Sequence, residues 1–103
     1  MMYKVILETA AILDLRGIHN NIANNLKNRQ AAQRIFFSIE EKVMTLANYP
    51  KRHSVVQDES YKTLCVRRMP VENYTAFYIV DDSEGVVHII RILYNRREWQ
   101  NLL

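Results

Sequence analysis

The fold is decided by two apolar runs, YTAFYIV (residues 74–80) and VVHIIRIL (residues 86–93), which DDSEG (residues 81–85) joins. Both runs are rich in β-branched and aromatic residues, and the five residues between them are turn formers that end in glycine. This pattern predicts a β-hairpin. Apolar side chains occupy both alternating sets of positions, so each strand has two apolar faces and is expected at the centre of a sheet.

The sequence on either side of this hairpin predicts two further strands and a C-terminal tail. Residues 61–68 have the composition of a strand, and residues 70–73, which begin with Pro70, are expected to form the turn into the hairpin. Residues 3–7 at the start of the chain predict a short first strand. Residues 96–103 are expected to form a tail or a short helix.

Two amphipathic helices are predicted between the first strand and the others. Thr9 is expected to cap the first helix, and Asn28 the second, which ends before Pro50. Apolar residues recur at intervals of three and four and line one face of each helix. They are Ile12, Leu15, Ile18, Ile22 and Leu26 in the first helix, and Ala32, Ile35, Phe36, Ile39, Val43 and Leu46 in the second.

The order of elements is therefore β-α-α-β-β-β, which defines an α+β fold. Two adjacent apolar helix faces need a partner, so we expect an antiparallel helix hairpin packed on one face of a largely antiparallel sheet. With 103 residues and 49% hydrophobic residues, the chain is expected to form one domain over residues 1–103.

Composition narrows the class of protein. The chain has no signal-like segment and no apolar run long enough to cross a membrane, so we expect a cytoplasmic protein without a membrane partner. Cys65 is the only cysteine, which excludes an internal disulfide; its apolar neighbours predict that it is buried. The three histidines lack the spacing of metal ligands, and no phosphate-binding loop or GxSxG motif occurs, so neither metal nor cofactor is expected.

The formal net charge is only +3, but the cations are unevenly distributed. Two windows without acidic residues, 61–71 and 85–97, hold six of the fourteen Lys and Arg residues. Tyrosines and Trp99 lie in the same half of the chain, which favours a surface that binds a phosphate and a base, or an acidic peptide. The alternative is that strand arginines merely lie along apolar surface with solvated head groups. The candidate binding residues are Lys62, Arg67, Arg68, Arg91, Arg96, Arg97 and Trp99.

The element order and several local strings resemble the RelE/ParE superfamily of toxins from bacterial type II toxin–antitoxin systems, including ParE-like plasmid stabilisation proteins. The similarity extends over nearly the whole chain. It is carried by Tyr3-Lys4-Val5, Ala11-x-x-Asp14-Leu15-x-x-Ile18, Ala31-Ala32, Leu46-Ala47-Asn48-Tyr49-Pro50, Leu64-x-Val66-Arg67, Asn73-Tyr74-x-x-Phe77-Tyr78-x-Val80 and Ile90-x-Ile92-Leu93-Tyr94-x-Arg96-Arg97-x-Trp99. The resemblance implies a growth-arresting toxin that a cognate antitoxin neutralises.

The superfamily divides into two activities. RelE-like members cleave mRNA on the ribosome, and for such an endoribonuclease the resemblance implies Arg67, Arg68, Arg96 and Tyr94 as catalytic candidates. This chain has Thr75 where those members carry an arginine, and it offers neither Tyr nor His after Trp99. ParE-like members inhibit DNA gyrase without catalytic residues, and the ending Ile92-Leu93-Tyr94-Asn95-Arg96-Arg97 is more similar to theirs. We therefore favour a ParE-like toxin that is not an enzyme, with the mRNA interferase as the alternative.

Overall fold

A computed structural model describes residues 2–58, 64–95 and 102–103. Within these ranges the predicted order β-α-α-β-β-β is confirmed. The elements are β1 (Lys4–Leu7), α1 (Thr9–Asn20), α2 (Arg29–Met44), β2 (Arg67–Val71), β3 (Tyr74–Asp81) and β4 (Val86–Tyr94). A π-helical turn, Asn21–Asn25, follows α1, and two short 3₁₀ turns, Thr45–Ala47 and Pro50–Arg52, follow α2.

The four strands form one mixed sheet in the order β1-β4-β3-β2. Strands β2, β3 and β4 are antiparallel neighbours, and β1 adds to the far side of β4 in parallel. The prediction that the hairpin strands lie at the centre is confirmed. A β-bulge interrupts the pairing of β3 with β4. Phe77 pairs with Arg91, and the next residue, Tyr78, pairs with Ile89, so Ile90 is an extra residue of β4.

Both helices cover one face of this sheet, as predicted. Leu15 of α1 and Ile39 of α2 pack in one buried cluster with Tyr78 of β3 and Ile89 of β4. A second, smaller cluster that contains Phe77 and Leu93 covers part of the opposite face, which we call the outer face. Both faces of the sheet therefore carry an apolar cluster. Among the described residues, helices cover the inner face but not the outer face.

The predicted apolar stripe of α1 is wrong at its two ends. Ile12 is 39% exposed and Leu26 is 66% exposed. At the start of α1, Ala11 takes the inward position one turn before Leu15 and is fully buried. At the other end, the π-helical turn interrupts the 3.6-residue period, so Leu26 no longer follows the line of Ile22.

The helix starts are close to the predicted ones. The Asn28 side chain accepts a hydrogen bond from the Ala31 backbone N–H at 3.0 Å, which confirms it as the cap of α2. Thr9 is instead the first residue of α1, and the capping position belongs to Glu8.

The prediction for β2 needs correction at both ends. The strand begins at Arg67, not at residue 61; residues 61–63 lie outside the described ranges. Cys65 is exposed in a turn with φ 53°, so the prediction that it is buried is wrong. Pro70 is a strand residue and not a turn residue. Proline is accepted there because β2 is an edge strand, where one side of the backbone needs no partner.

Candidate functional site

The alternation of strand side chains separates the two adjacent arginines of β2. Arg68 pairs with Phe77 and therefore lies on the outer face, whereas Arg67 pairs with the buried Tyr78 on the helix-covered side. Phe77 also pairs with Arg91 of β4. Arg68, Phe77 and Arg91 thus follow one line across the sheet, while Arg67 does not belong to it.

A cavity of about 230 Å³ opens on the outer face. Its lining combines one guanidinium, two rings, an aliphatic side chain and two small polar groups: Arg68, Thr75, Phe77, Leu93, Tyr94 and Asn95. The Thr75 hydroxyl donates a hydrogen bond of 2.7 Å to Oδ1 of Asn95. Arg68 is the only charged residue among these six, so the cavity suits one anionic group beside a planar or apolar one.

Arg91 turns away from this cavity toward α1. Its guanidinium makes a bidentate contact with the Asp14 carboxylate, with N–O distances of 2.7 and 2.8 Å, and donates to the Leu102 carbonyl. The hydrogen bond to Asp14 raises the pKa of Arg91, against the opposing effect of its burial. Because its charge is paired and its donors are engaged, Arg91 serves the fold in this structure.

Arg67 is also engaged within the protein. Its guanidinium donates to the Lys51 and His53 carbonyls, at 3.2 and 2.7 Å. The buried Tyr78 hydroxyl donates to the Pro50 carbonyl at 2.6 Å. Burial raises the pKa of Tyr78 to about 12, although the positive charge of Arg67 acts in the opposite direction.

Tyr94 lies between the outer cavity and a second concave region. Its ring makes an edge contact with Tyr74, with ring centres 5.5 Å apart. It also borders a cleft of about 760 Å³ between the helix hairpin and the end of the sheet, where Asp14, Ile18 and Ile35 are other lining residues. An aromatic side chain in this position can contact a partner in either concavity.

Of the predicted site residues, Arg68 and Tyr94 come together at the outer cavity. Arg67 and Arg91 point elsewhere and are bound to other parts of the chain. Lys62, Arg96, Arg97 and Trp99 lie outside the described residues. Among the described residues, no group of three or more His, Cys, Asp or Glu side chains is arranged to hold a metal ion, and no helix has the length and apolarity to span a membrane.

Residues 5–99 match the model of a protein family. The family is described as the ParE toxin of the type II toxin–antitoxin system, parDE. The chain belongs to the ParE toxin family. The match includes every strand and helix described above except the first residue of β1.

Solved structures support the same fold for this ParE-family chain. A chromosomal ParDE system from P. aeruginosa matches with a TM-score of 0.74 and 21% identity, over 90% of this chain and 96% of that one. The RelBE2 toxin–antitoxin complex from Mycobacterium tuberculosis gives a TM-score of 0.68 and 21% identity, over 91% and 99%. A mutant of the E. coli toxin RelE gives 0.64 and 14%, over 93% and 86%. No curated protein sequence matches the chain.

Two residues that contribute to the contacts described above were not among the sequence-based candidates. Asn95 reaches Thr75 across the β3–β4 pair, and a correct strand register would have identified this contact. Asp14 pairs with Arg91 across 77 positions of sequence. Asp14 lies in one of the segments that resemble the RelE/ParE superfamily. The sequence around Asp14 and around Arg91, however, does not indicate that these two residues pair.

Proposed function

We propose that this chain is a growth-inhibiting toxin that a cognate antitoxin neutralises, and that it acts by binding DNA gyrase without catalysing a reaction. The ParE family match over residues 5–99 carries the proposal. The similar structures from P. aeruginosa and M. tuberculosis are, by name, a toxin–antitoxin system and a toxin–antitoxin complex, which supports an antitoxin as partner.

The chemistry of the outer cavity supports the non-enzymatic form of this proposal. Cleavage of RNA through its own 2′-hydroxyl needs a group that takes the proton, a cation beside the phosphate and a group that protonates the leaving oxygen. Thr75 and Asn95, both neutral, satisfy each other in the cavity. Arg91 and Arg67 are engaged by Asp14 and by backbone carbonyls, and among the described residues that line the cavity Arg68 is the charged one. Among the described lining residues, only the Tyr94 phenol is suited to proton transfer, so this composition favours binding over a reaction that needs both an acid and a base.

The alternative is a ribosome-dependent mRNA endoribonuclease. It is supported by the position of Arg68 and Tyr94 on one cavity, since a guanidinium and a phenol are groups that can stabilise a phosphate and donate a proton. The similarity to RelE, at 14% identity, supports the shared fold alone.

The deciding experiment compares the two targets with the same purified protein. We expect supercoiling by DNA gyrase to fall as the toxin is added, and the Arg68→Ala variant to require at least about tenfold more protein. The matched control is Arg29→Ala, which removes an exposed arginine from the start of α2, away from the cavity. Unchanged supercoiling at excess toxin contradicts the gyrase proposal.

A parallel measurement tests the alternative. Primer extension on translated mRNA after induction of the toxin is expected to show no new cuts. Cuts in the ribosomal A site that disappear in Arg68→Ala, together with unaffected gyrase, would establish the nuclease. Co-expression with a cognate antitoxin is expected to restore growth, and failure of every neighbouring reading frame to rescue growth contradicts an antitoxin encoded beside the toxin.

A further inference from the structure

A second exposed surface lies away from the outer cavity, in the loop that follows α2. We call residues 48–53 the Tyr49 loop. Tyr49 adopts the left-handed conformation, with φ 50° and ψ 56°, and the residue is 83% exposed. A bulky residue with a β-carbon is disfavoured in this conformation, and such strain persists only where the surrounding contacts impose it.

Hydrogen bonds from three side chains hold this loop in place. Arg52 donates to the Asn48 carbonyl at 2.6 Å, to two further carbonyls that include that of Tyr49, and to the Thr45 hydroxyl. From below, Tyr78 donates to the Pro50 carbonyl, and Arg67 donates to those of Lys51 and His53. The strained backbone is therefore fixed, and the Tyr49 ring is presented to solvent on a rigid support.

The ring borders a shallow concavity of about 460 Å³. Tyr3, Tyr49 and Pro50 supply ring surfaces, and Lys51 and Arg52 complete the lining. Asp82 accepts hydrogen bonds from the Tyr3 hydroxyl and from the Lys51 ammonium, which holds the far wall in place. Exposed tyrosine on a rigid loop beside an apolar depression is typical of the central residues of protein interfaces.

The electrostatic surroundings of the loop are positive. Burial lowers the pKa of His53, and the charges of Arg52 and Lys42 lower it further. Lys51 and Arg67 both act on Asp82 and lower its pKa. Lys42, Lys51, Arg52 and Arg67 all act on groups of this described surface, and this positive charge favours an acidic partner.

The hydrogen bonds distinguish between acidic partners. Nη1 and Nη2 of Arg52 are directed at carbonyls and a hydroxyl of its own chain, and Lys51 Nζ contacts Asp82. Close recognition of a phosphate depends on such donors being available to it. Here the positive charge remains, while Nη1 and Nη2 of Arg52 and one donor of Lys51 are engaged within the chain. The rings therefore supply most of the contact surface for a partner, and the positive charge attracts it over a longer distance.

We propose that the Tyr49 loop and its concavity are a docking surface for an acidic protein segment, in which an apolar side chain enters the depression between Tyr3 and Tyr49 while flanking carboxylates face Lys51 and Arg52. The surface is separate from the outer cavity, and the proposal does not depend on gyrase being the target.

The test is a selection of displayed random 12-residue peptides on the immobilised protein, followed by fluorescence anisotropy with the selected peptides after labelling. We expect the selected sequences to combine Leu, Ile, Phe or Trp with neighbouring Asp or Glu. Tyr49→Gly is expected to weaken their binding at least tenfold. Glycine accepts the left-handed backbone, so this variant keeps the loop and removes only the ring.

The control variant is Phe37→Ala, which removes another exposed ring, 59% exposed, from α2. Its peptide affinity is expected to stay within twofold of the unmodified protein. Peptides without acidic residues, or peptides whose affinity Tyr49→Gly does not change, would overturn the proposal. A labelled oligothymidylate that binds the unmodified protein more tightly than the selected peptides, and loses that affinity in Tyr49→Gly, would overturn it in favour of a nucleic acid.

Discussion

The carboxylate of Asp14 on α1 binds both the guanidinium of Arg91 on β4 and the backbone N–H of Ile92, the latter at 2.9 Å. Strand β1 ends at Leu7, opposite Ile89, so the rest of β4 has no neighbouring strand on that side within residues 2–58, 64–95 and 102–103. Asp14 supplies the acceptor that a neighbouring strand would otherwise provide. One side chain therefore fixes the first helix to the open part of the central strand.

Replacing Asp14 by alanine is expected to lower the free energy of unfolding by about 2 to 3 kcal/mol, because a poorly exposed guanidinium and a backbone N–H both lose their acceptor. Urea denaturation followed by circular dichroism measures the change. The exposed pair Arg34–Glu72 is the control: its arginine side chain is 64% exposed, and Arg34→Ala is expected to cost less than about 1 kcal/mol. Equal effects at the two pairs would contradict the structural role of Asp14.

The second prediction concerns alkaline pH and Tyr78. Its pKa is raised to about 12 in the folded protein, from 10.0 in the unfolded chain. Between these values the unfolded state holds fewer protons, so stability is expected to fall as the pH rises above 10, by up to about 3 kcal/mol near pH 12.

Comparison with Tyr78→Phe isolates this effect. At pH 8 the variant is expected to lose about 1 to 2 kcal/mol, because the Pro50 carbonyl loses its buried donor. Its stability should then decline less with pH than that of the unmodified protein, as urea titrations at pH 8 to 11 would reveal. Parallel pH profiles for the two proteins would refute the assignment to Tyr78, and Tyr49→Phe, at an exposed tyrosine, serves as the control.

The two neighbouring arginines of β2 are expected to differ in what they affect. Arg67→Ala should lower thermal stability by several degrees, since two carbonyls of the Tyr49 loop lose their donor. Arg68→Ala should leave the melting temperature within about 1 °C and reduce toxicity in a growth assay, because Arg68 is exposed at the outer cavity. If Arg67→Ala reduced toxicity and Arg68→Ala lowered the melting temperature, the functional surface would lie on the helix-covered face of the sheet.

Asn28 offers a test of helix capping. Asn28→Ala is expected to reduce the free energy of unfolding by about 1 kcal/mol, because the Ala31 N–H loses its acceptor, whereas Asn28→Asp should preserve most of the stability. Asn24→Ala, at an exposed position in the π-helical turn, is the control in the same denaturation experiment. If the Asn28 side chain did not stabilise the helix, Asn28→Ala and Asn24→Ala would have the same free energy of unfolding.

Local patterns predicted most of the fold but only part of the site. Residues 74–80 and 86–93 were correctly placed at the centre of the sheet because a strand with two apolar faces has few alternatives. The start of β2 was misplaced because residues 61–66 have strand-like composition, while Cys65 takes a left-handed turn that no common turn residue signals. The roles of Arg67 and Arg91 depend on partners far along the chain, His53 and Asp14, which composition and spacing do not specify.

Pro70 limits backbone hydrogen bonding at the edge of the sheet formed by β2. It lies on β2, the edge strand, and has no N–H with which to extend the hydrogen-bonded ladder outward. Beside it, the Ser54 carbonyl already accepts the Arg68 N–H, so the adjoining stretch of this edge is covered. Strand-to-strand pairing between copies of the chain through β2 is therefore disfavoured, which lowers the tendency of a sheet with a long apolar central hairpin to aggregate when the protein accumulates.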